Sequence, residues 1–192
     1  MGIYLLEHAS PGYQGRTKFN ADNADLTLAF TVDEHTAGEH STRKLATEAK
    51  YGRIDLNTTT ATCAARNISY LIGVKCREKP CEIINIAGNG IYTMAKHGWT
   101  QDQTNQYLYD VFVEMRDKWG CMPTKGFRSG GQTGVDIAGA VAASVIGIDA
   151  VITFPKGFRQ RGIDKVDFTQ TKDAVMQDII SMAGCVKSIR EV

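Results

Sequence analysis

Residues 126–154 read GFRSGGQTGVDIAGAVAASVIGIDAVITF, and this segment carries the strongest structural pattern in the chain. Gly126 to Ser129 predicts a short strand, and the alanine-rich segment from Val135 to Gly147 predicts a helix. Asp149 to Phe154 is apolar and rich in β-branched residues, which predicts a second strand. A strand, a glycine loop, a helix and another strand in this order indicate parallel pairing with a right-handed crossover.

The alternation of strands and helices continues towards both ends of the chain. Further strands are predicted at residues 25–32, 53–57 and 82–87, and further helices at residues 41–49, 60–77, 100–119 and 169–182. Residues 1–24 predict a short strand followed by an irregular segment, which we interpret as an N-terminal extension. The sequence therefore predicts an α/β fold over residues 1–192, a single Rossmann-like domain with a mainly parallel sheet and helices on both faces.

Two helix ends have specific sequence signals. Thr100 and Gln103 have the spacing of a capping box at the start of the helix over residues 100–119. Gly52 follows the helix over residues 41–49 and is expected to end it in a left-handed conformation.

Composition limits the classes of partner. The chain has 192 residues, of which 43% are hydrophobic and 22% charged, as expected for one globular domain. Its formal net charge is +1, which gives no electrostatic reason to expect a nucleic acid polymer or a membrane as a partner. No apolar run reaches the length of a signal-peptide core or a membrane span, so a cytoplasmic location is expected. The five cysteines contain no Cys-x-x-Cys pair, so we expect free thiols, no metal and no cofactor.

The glycine loop at residues 130–134 (GGQTG) is the first candidate ligand site. Its glycines permit a tight turn and a close backbone approach, and the N-terminus of the next helix favours an anion. Thr133 is expected to cap that helix, while Gln132 and Asp136 carry groups suited to ribose hydroxyls. The alternative is that the glycines only turn the chain. The strand–loop–helix context favours phosphate or nucleotide binding.

Other loops are expected at the same edge of the sheet, where parallel strands end. Gly88-Asn89-Gly90 follows one predicted strand, and Tyr92 beyond it offers a ring on which a base can stack. Lys156, Arg159 and Arg161 follow another strand, where they can neutralise a phosphate. The alternative for the three cations is that they are solvated at the surface, and the alternative for Tyr92 is that it packs in the core.

Residues 129–162 read SGGQTGVDIAGAVAASVIGIDAVITFPKGFRQRG. This segment resembles the SLOG superfamily of Rossmann-like proteins, most closely the proteins called molybdenum carriers, whose loop is nearly SGGQTGAD before a PKG segment. A more distant resemblance is to the Lonely-guy phosphoribohydrolases. With the preceding strand and helix, the resemblance covers residues 82–161. It implies a nucleotide-binding cleft and no particular reaction.

The second Lonely-guy motif, PGGxGTxxE, does not follow Pro155. We hypothesise a circular permutation in which the loop at residues 33–39 takes its place. Thr36, Gly38 and Glu39 would then line the cleft, and Glu39 would be the catalytic residue of an enzyme. The alternative is an ordinary helix N-cap region.

The resemblance implies a small nucleotide-derived ligand, such as ADP-ribose, cyclic ADP-ribose or a cyclic nucleotide. One expectation is a binder, which in a virus would act as a sponge that sequesters a host immune nucleotide signal. The other is a nucleotide hydrolase that cleaves an N-glycosidic or phosphodiester bond. Related folds also lead us to expect a homo-oligomer. The candidate ligand-binding residues are Thr36, Gly38, Glu39, Gly88, Asn89, Gly90, Tyr92, Gly130, Gly131, Gln132, Thr133, Gly134, Asp136, Lys156 and Arg159.

Overall fold

A computed structural model describes residues 2–120 and 122–186. Its strands are β1 (Ile3–Glu7), β2 (Leu26–Thr31), β3 (Tyr51–Asp55), β4 (Ile83–Gly88), β5 (Gly126–Ser129), β6 (Asp149–Phe154), β7 (Gln160–Arg161) and β8 (Asp167–Phe168). Its helices are α1 (Tyr13–Asp22), α2 (Ala37–Lys50), α3 (Ala61–Lys75), α4 (Ile91–Lys96), α5 (Gln101–Trp119), α6 (Val135–Ile146) and α7 (Lys172–Cys185).

Six strands form one sheet in the order β1-β6-β5-β4-β2-β3, and every neighbouring pair is parallel. The chain leaves β2 for β3 on one side and returns through α3 to β4 on the other side. The connections after β2 and β4 therefore diverge, which makes a topological switch point. In open α/β sheets such a point leaves a crevice beyond the carboxyl ends of the strands. β7 and β8 form a separate antiparallel hairpin, residues 160–168.

The two faces of the sheet differ in their packing. Helices α3, α5, α6 and α7 form a continuous layer over one face, where Phe30 and Phe112 meet edge to face. Helices α1 and α2 pack together over the other face, where the apolar cluster is small: Ala21, Ala29, Ala46 and Tyr51. The α/β prediction with helices on both faces is confirmed, and only one face has a large apolar core.

Most predicted elements are present, and Thr100 and Gln103 do form the capping box. Gly52, however, does not end a helix. It lies inside β3 and pairs with Leu28, because the preceding Tyr51 is already extended. The side chain of Leu71 covers it, so a methyl group there would lie 2.6 Å from that side chain. The predicted C-terminal glycine signal was therefore wrong.

The prediction of an irregular segment after β1 was also wrong. Residues Tyr13–Asp22 form α1, and β1 pairs with β6 at the edge of the sheet. The buried residues of α1 include Arg16 and Asn20, so its inward face is largely polar. The short helix α4 and the β7–β8 hairpin were not predicted either. Within the described residues, no helix is long and apolar enough to cross a bilayer.

Candidate functional site

A cavity of about 440 Å³ opens at the switch point, beyond the carboxyl ends of β2, β4 and β5. Its wall is built by the end of β4 and five further segments: α1, the start of α2, the connection from β4 into α4, the glycine loop with the start of α6, and the β7–β8 hairpin. The loop at residues 33–39 and the glycine loop thus meet at one site, through Thr36, Gly38, Gly130 and Gln132. This is the proximity that the permutation hypothesis requires.

Helix α1 contributes one whole face to the cavity. Tyr13, Arg16, Thr17 and Asn20, at positions i, i+3, i+4 and i+7, all line it. Sequence reasoning missed this helix because periodicity was sought among apolar residues. The same spacing among polar and aromatic residues was a signal that could have found it.

Arg16 and Asp136 form a buried ion pair at the floor of the cavity. Arg16 Nη1 donates to Asp136 Oδ2 at 2.8 Å, and the side chains are 10% and 6% exposed. The pair lies directly against the glycine loop, because a Cβ at Gly130 would be 1.2 Å from Arg16 Nη1 and 2.5 Å from Asp136 Oδ2. Gly130 therefore leaves room for an arginine from α1, where we had expected room for a ligand.

The pair leaves a donor unused. Arg16 Nε is buried and has no hydrogen-bond partner within the part of the chain that the structure describes. Burial raises the pKa of the Asp136 carboxyl above its ordinary value, and the Arg16 guanidinium acts against that rise. A buried guanidinium with a spare N–H attracts an anion, since an orphaned charged donor is costly.

Asn89 fixes the loop after β2. Its Oδ1 accepts from the backbone N–H groups of Val32 at 2.8 Å and Asp33 at 2.9 Å. Its Nδ2 donates to Asp33 O at 3.0 Å and lies 3.4 Å from Thr36 Oγ1. Asn89 lines the cavity, but its side chain is committed to holding two walls of the cavity together.

The N-terminus of α2 also faces the cavity. Thr36 is the N-cap and accepts from the Glu39 N–H at 3.2 Å, and Ala37 and Gly38 line the wall. A methyl group at Gly38 would meet nothing within 4 Å. The first turn of this helix is therefore open, and its positive end favours a negatively charged group.

The β7–β8 hairpin covers one side of the cavity through Arg161 and Lys165. Gln132 Oε1 accepts from the Arg161 N–H at 2.7 Å, and the Thr133 hydroxyl donates to the Arg161 carbonyl. Thr133 therefore does not cap α6, whose N-cap is Gly134 and has no side-chain hydrogen bond. The expectation that Thr133 caps this helix was wrong, since its hydroxyl is used to dock the hairpin.

The predicted ligand residues separate into two groups. Those that line the cavity are Thr36, Gly38, Gly88, Asn89, Gly90, Tyr92, Gly130, Gln132 and Asp136. Those that do not line it are Glu39, Gly131, Thr133, Gly134, Lys156 and Arg159. Of the three cations expected after β6, Arg161 lines the cavity, whereas Lys156 and Arg159 do not. The other cations of the wall, Arg16 and Lys165, were not predicted.

The backbone of the glycine loop is already engaged. A Cβ at Gly131 would lie 2.5 Å from the ring of Phe154, and the N–H of Gly134 donates to Gln101 Oε1 at 2.6 Å. The Val135 N–H donates to the Asn89 carbonyl at 3.2 Å. The N-terminus of α6, expected as the phosphate site, thus gives its first N–H groups to the protein itself.

Glu39 does not line the cavity. It is 4% exposed, and the Tyr51 hydroxyl donates to its Oε1 beside β3. Burial raises the pKa of Glu39, and the hydrogen bond from Tyr51 acts against this rise. Its Oε1 is engaged with Tyr51 and its Oε2 is buried without a hydrogen-bond partner among the described residues, so this carboxylate does not face a ligand in the cavity wall.

The histidine and cysteine side chains of the described residues, which can ligate a metal or act as nucleophiles, lie apart from this cavity. Within the described residues, no three His, Cys, Asp or Glu side chains are grouped to hold a metal ion. Cys63, Cys76, Cys81 and Cys185 are free thiols, and Cys121 lies outside the described residues. Thr133 lines a second cavity, of about 270 Å³, on the α7 side of the glycine loop.

No protein-family model, no curated protein and no solved structure matches the chain. The function must therefore be argued from the geometry of the site.

Proposed function

We propose that this protein binds a small anionic, nucleotide-derived ligand in the cavity at the switch point. The observation that carries the proposal is Arg16, which lines the cavity, is buried and keeps an unpartnered Nε. The open first turn of α2 forms part of the same wall through Ala37 and Gly38. A guanidinium and a helix N-terminus together suit a phosphate group.

The charge and size of the cavity agree with such a ligand. Three cations line it, Arg16, Arg161 and Lys165, against one carboxylate, Asp136. Its volume of about 440 Å³ lies within the usual range of small-molecule sites, roughly 300–1,000 Å³. Polar side chains from α1 and α2, among them Thr17, add groups suited to sugar hydroxyls.

Two tyrosine rings support the nucleotide class over a simple anion. Tyr13 and Tyr92 both line the cavity, and both are only partly buried. A base can stack on a tyrosine ring, because stacking between a base and an aromatic side chain tolerates a range of ring orientations. ADP-ribose, cyclic ADP-ribose and cyclic nucleotides all combine a base with phosphate, and they are the ligands we propose.

Binding without turnover is the form of the proposal that we favour. Glu39, the expected catalytic residue, lies outside the cavity wall. The carboxylate inside the wall, Asp136, is held by Arg16 and cannot move freely to a substrate. A binder of this kind sequesters its ligand, and a host immune nucleotide signal sequestered by a viral protein is the biological setting we propose.

One observation favours the hydrolase alternative. Asp136 is a carboxylate in the cavity wall whose pKa is raised by burial, a property common among general acids. If the ligand is cleaved, Asp136 is the residue that we expect to take part.

A single experiment separates these functions. The purified protein is incubated with AMP, ADP, ADP-ribose, cyclic ADP-ribose and cyclic dinucleotides, and its melting temperature is measured with each. The ligand is then recovered after heat denaturation and analysed by chromatography. A ligand that raises the melting temperature and returns intact supports a binder, and a converted ligand supports the hydrolase. If none of the nucleotides changes the melting temperature or is converted, the proposed function is wrong.

A further inference from the structure

Four cations surround the two tyrosines of the cavity in two pairs. Arg16 and Arg161 lie 5.7 and 5.3 Å from the centre of the Tyr13 ring. Lys96 and Lys165 lie 4.4 and 5.2 Å from the centre of the Tyr92 ring. Each ring thus holds cations from two separate segments, and each pair is a distinct position of positive charge.

The two pairs differ in how their charge is balanced. Arg16 is paired with Asp136, and Arg161 is paired with Asp167 at 2.6 Å. Among residues 2–120 and 122–186, neither Lys96 nor Lys165 has a carboxylate within ion-pair distance. Lys165 lines the cavity, whereas Lys96, on α4, is not part of its wall, and both side chains are exposed. The charge left uncompensated around the cavity is therefore concentrated at this lysine pair beside Tyr92.

Lys165 has an unusual backbone conformation. Its φ angle is +69°, in the left-handed region that non-glycine residues rarely adopt. The turn is closed by the hydrogen bond from the Gly162 N–H to the Val166 carbonyl at 2.8 Å, and by that from the Lys165 N–H to the Gly162 carbonyl at 3.0 Å. This turn places Lys165 in the cavity wall beside Tyr92.

The hairpin that carries Lys165 is fixed at its base. The Tyr13 hydroxyl donates to Asp167 Oδ1 at 3.0 Å, and Arg161 Nε donates to the same oxygen at 2.6 Å. The side chains of Gln132 and Thr133 form hydrogen bonds with the Arg161 backbone N–H and carbonyl. The position of Lys165 over the cavity is therefore preorganised, which reduces the entropic cost of a contact with a ligand.

We propose that Lys165 and Lys96 form a second anion position, so that the cavity selects ligands with two phosphate groups over those with one. The inference rests on the proposed function and specifies the class of ligand. One phosphate binds at Arg16 and the start of α2, and the second binds at the lysine pair. A nucleoside diphosphate is the smallest nucleotide that has both groups.

The test compares AMP with ADP, which differ only in the second phosphate, by isothermal titration calorimetry. ADP is expected to bind the wild-type protein about tenfold more tightly than AMP does, as one added charged contact allows. Lys165→Asn removes the cation while keeping a residue that tolerates a positive φ. This variant is expected to lose about tenfold in affinity for ADP and to bind AMP almost as before. Lys156→Gln, a surface charge outside the cavity wall, is the matched control and is expected to change neither affinity.

The outcomes separate this proposal from the one on which it rests. Equal wild-type affinities for AMP and ADP, or an equal loss of both in Lys165→Asn, overturn the second anion position and leave the proposed function standing. If neither AMP nor ADP binds, the second anion position is also overturned. The proposed function is then decided by the other nucleotides tested, which are ADP-ribose, cyclic ADP-ribose and cyclic dinucleotides. If Lys165→Asn lowers the melting temperature, Lys96→Gln repeats the test on the helix, away from the strained turn.

Discussion

The glycine loop at residues 130–134 and helix α1 (Tyr13–Asp22) lie against each other, yet they differ in what the sequence reveals of them. The loop has a clear motif, but much of its contact surface packs against the protein: Gly130 against Arg16 and Gly131 against Phe154. Helix α1 has no apolar pattern, but it lines the cavity with Tyr13, Arg16, Thr17 and Asn20. The glycine motif therefore indicates where the site lies, and helix α1, which has no recognisable motif, supplies many of the side chains that line it.

The largest effect is expected from a substitution that breaks the contact between the glycine loop and α1. Asp136→Ala leaves the buried guanidinium of Arg16 without its carboxylate, and we expect a loss of about 3–5 kcal/mol in the free energy of unfolding. Urea denaturation measures this loss. The double variant Arg16→Met/Asp136→Leu is the control and is expected to recover most of it, because no buried charge remains. A small loss in Asp136→Ala would mean that α1 and the loop are not one unit.

The second prediction tests whether the glycine loop serves packing. Gly134 has φ +91°, and a Cβ there would lie 2.6 Å from the Asn89 carbonyl oxygen and the Ile91 nitrogen. We expect Gly134→Ala to destabilise the protein by about 3 kcal/mol, since the strained backbone and the overlap add together.

Gly38→Ala is the matched control for this prediction. Gly38 lies in a helix with open space around it, so alanine is expected to stabilise the protein by about 0.5 kcal/mol. Both free energies are measured by urea denaturation. Equal effects of the two substitutions would contradict the packing role of the loop.

How far the sequence predicts this fold depends on whether the inward residues of an element are apolar or polar. Strands β4, β5 and β6 and helices α3, α5 and α6 were predicted because they border the large apolar core, where hydrophobic periodicity reports burial. Helix α1 and the β7–β8 hairpin border the cavity. Their inward residues, such as Arg16 and Arg161, are polar, so the same periodicity is absent.

The candidate site was predicted in part for a similar reason. Loops at the carboxyl ends of parallel strands lie at one edge of the sheet, so Gly88, Asn89, Gly90 and Gly130 were placed together because each follows a predicted strand. Two of the three cations of the wall, Arg16 and Lys165, were not predictable in this way. Lys156 was expected at the site because it lies nearest the end of a predicted strand, but the contact of Arg16 with Asp136 joins residues 120 positions apart. Nothing local in the sequence specifies such a contact.

A smaller effect is expected at the joint between the loops after β2 and β4. Asn89→Ala removes the acceptor of the Val32 and Asp33 N–H groups, and we expect a loss of about 2 kcal/mol in the free energy of unfolding. Asn23→Ala, which loses one exposed bond to the Phe19 carbonyl, is the control and should cost well under half as much. Urea denaturation of both variants makes the comparison. If their losses are similar, Asn89 does not clamp the two walls.

The smallest effect tests the structural place of Glu39 by its dependence on pH. Its pKa is raised in the folded protein by burial, with Tyr51 acting against the rise. Above the folded pKa, ionised Glu39 opposes folding, and this cost disappears as the pH falls through the folded pKa towards the unfolded value. Glu39→Gln removes the cost, so its advantage in melting temperature over the wild-type protein should shrink from pH 8 to pH 5.

Ligand binding provides the control for Glu39→Gln. Because Glu39 lies outside the cavity wall, the variant is expected to bind every nucleotide as the wild-type protein does. If the melting-temperature advantage of Glu39→Gln grows as the pH falls, or if the variant loses binding, Glu39 belongs to the functional site.

The most direct test of the central claim is to fill the cavity and measure binding. Gly38 lines the cavity and a Cβ there meets nothing within 4 Å, so we expect Gly38→Trp to place an indole in the cavity without a clash at the backbone. Gly73→Trp, on α3 and equally unobstructed, is the matched control. Isothermal titration calorimetry with ADP-ribose and cyclic ADP-ribose is expected to show binding to the wild-type protein and Gly73→Trp, and none to Gly38→Trp at an unchanged melting temperature. Equal binding to all three proteins would contradict the account, because the ligand would then lie outside this cavity.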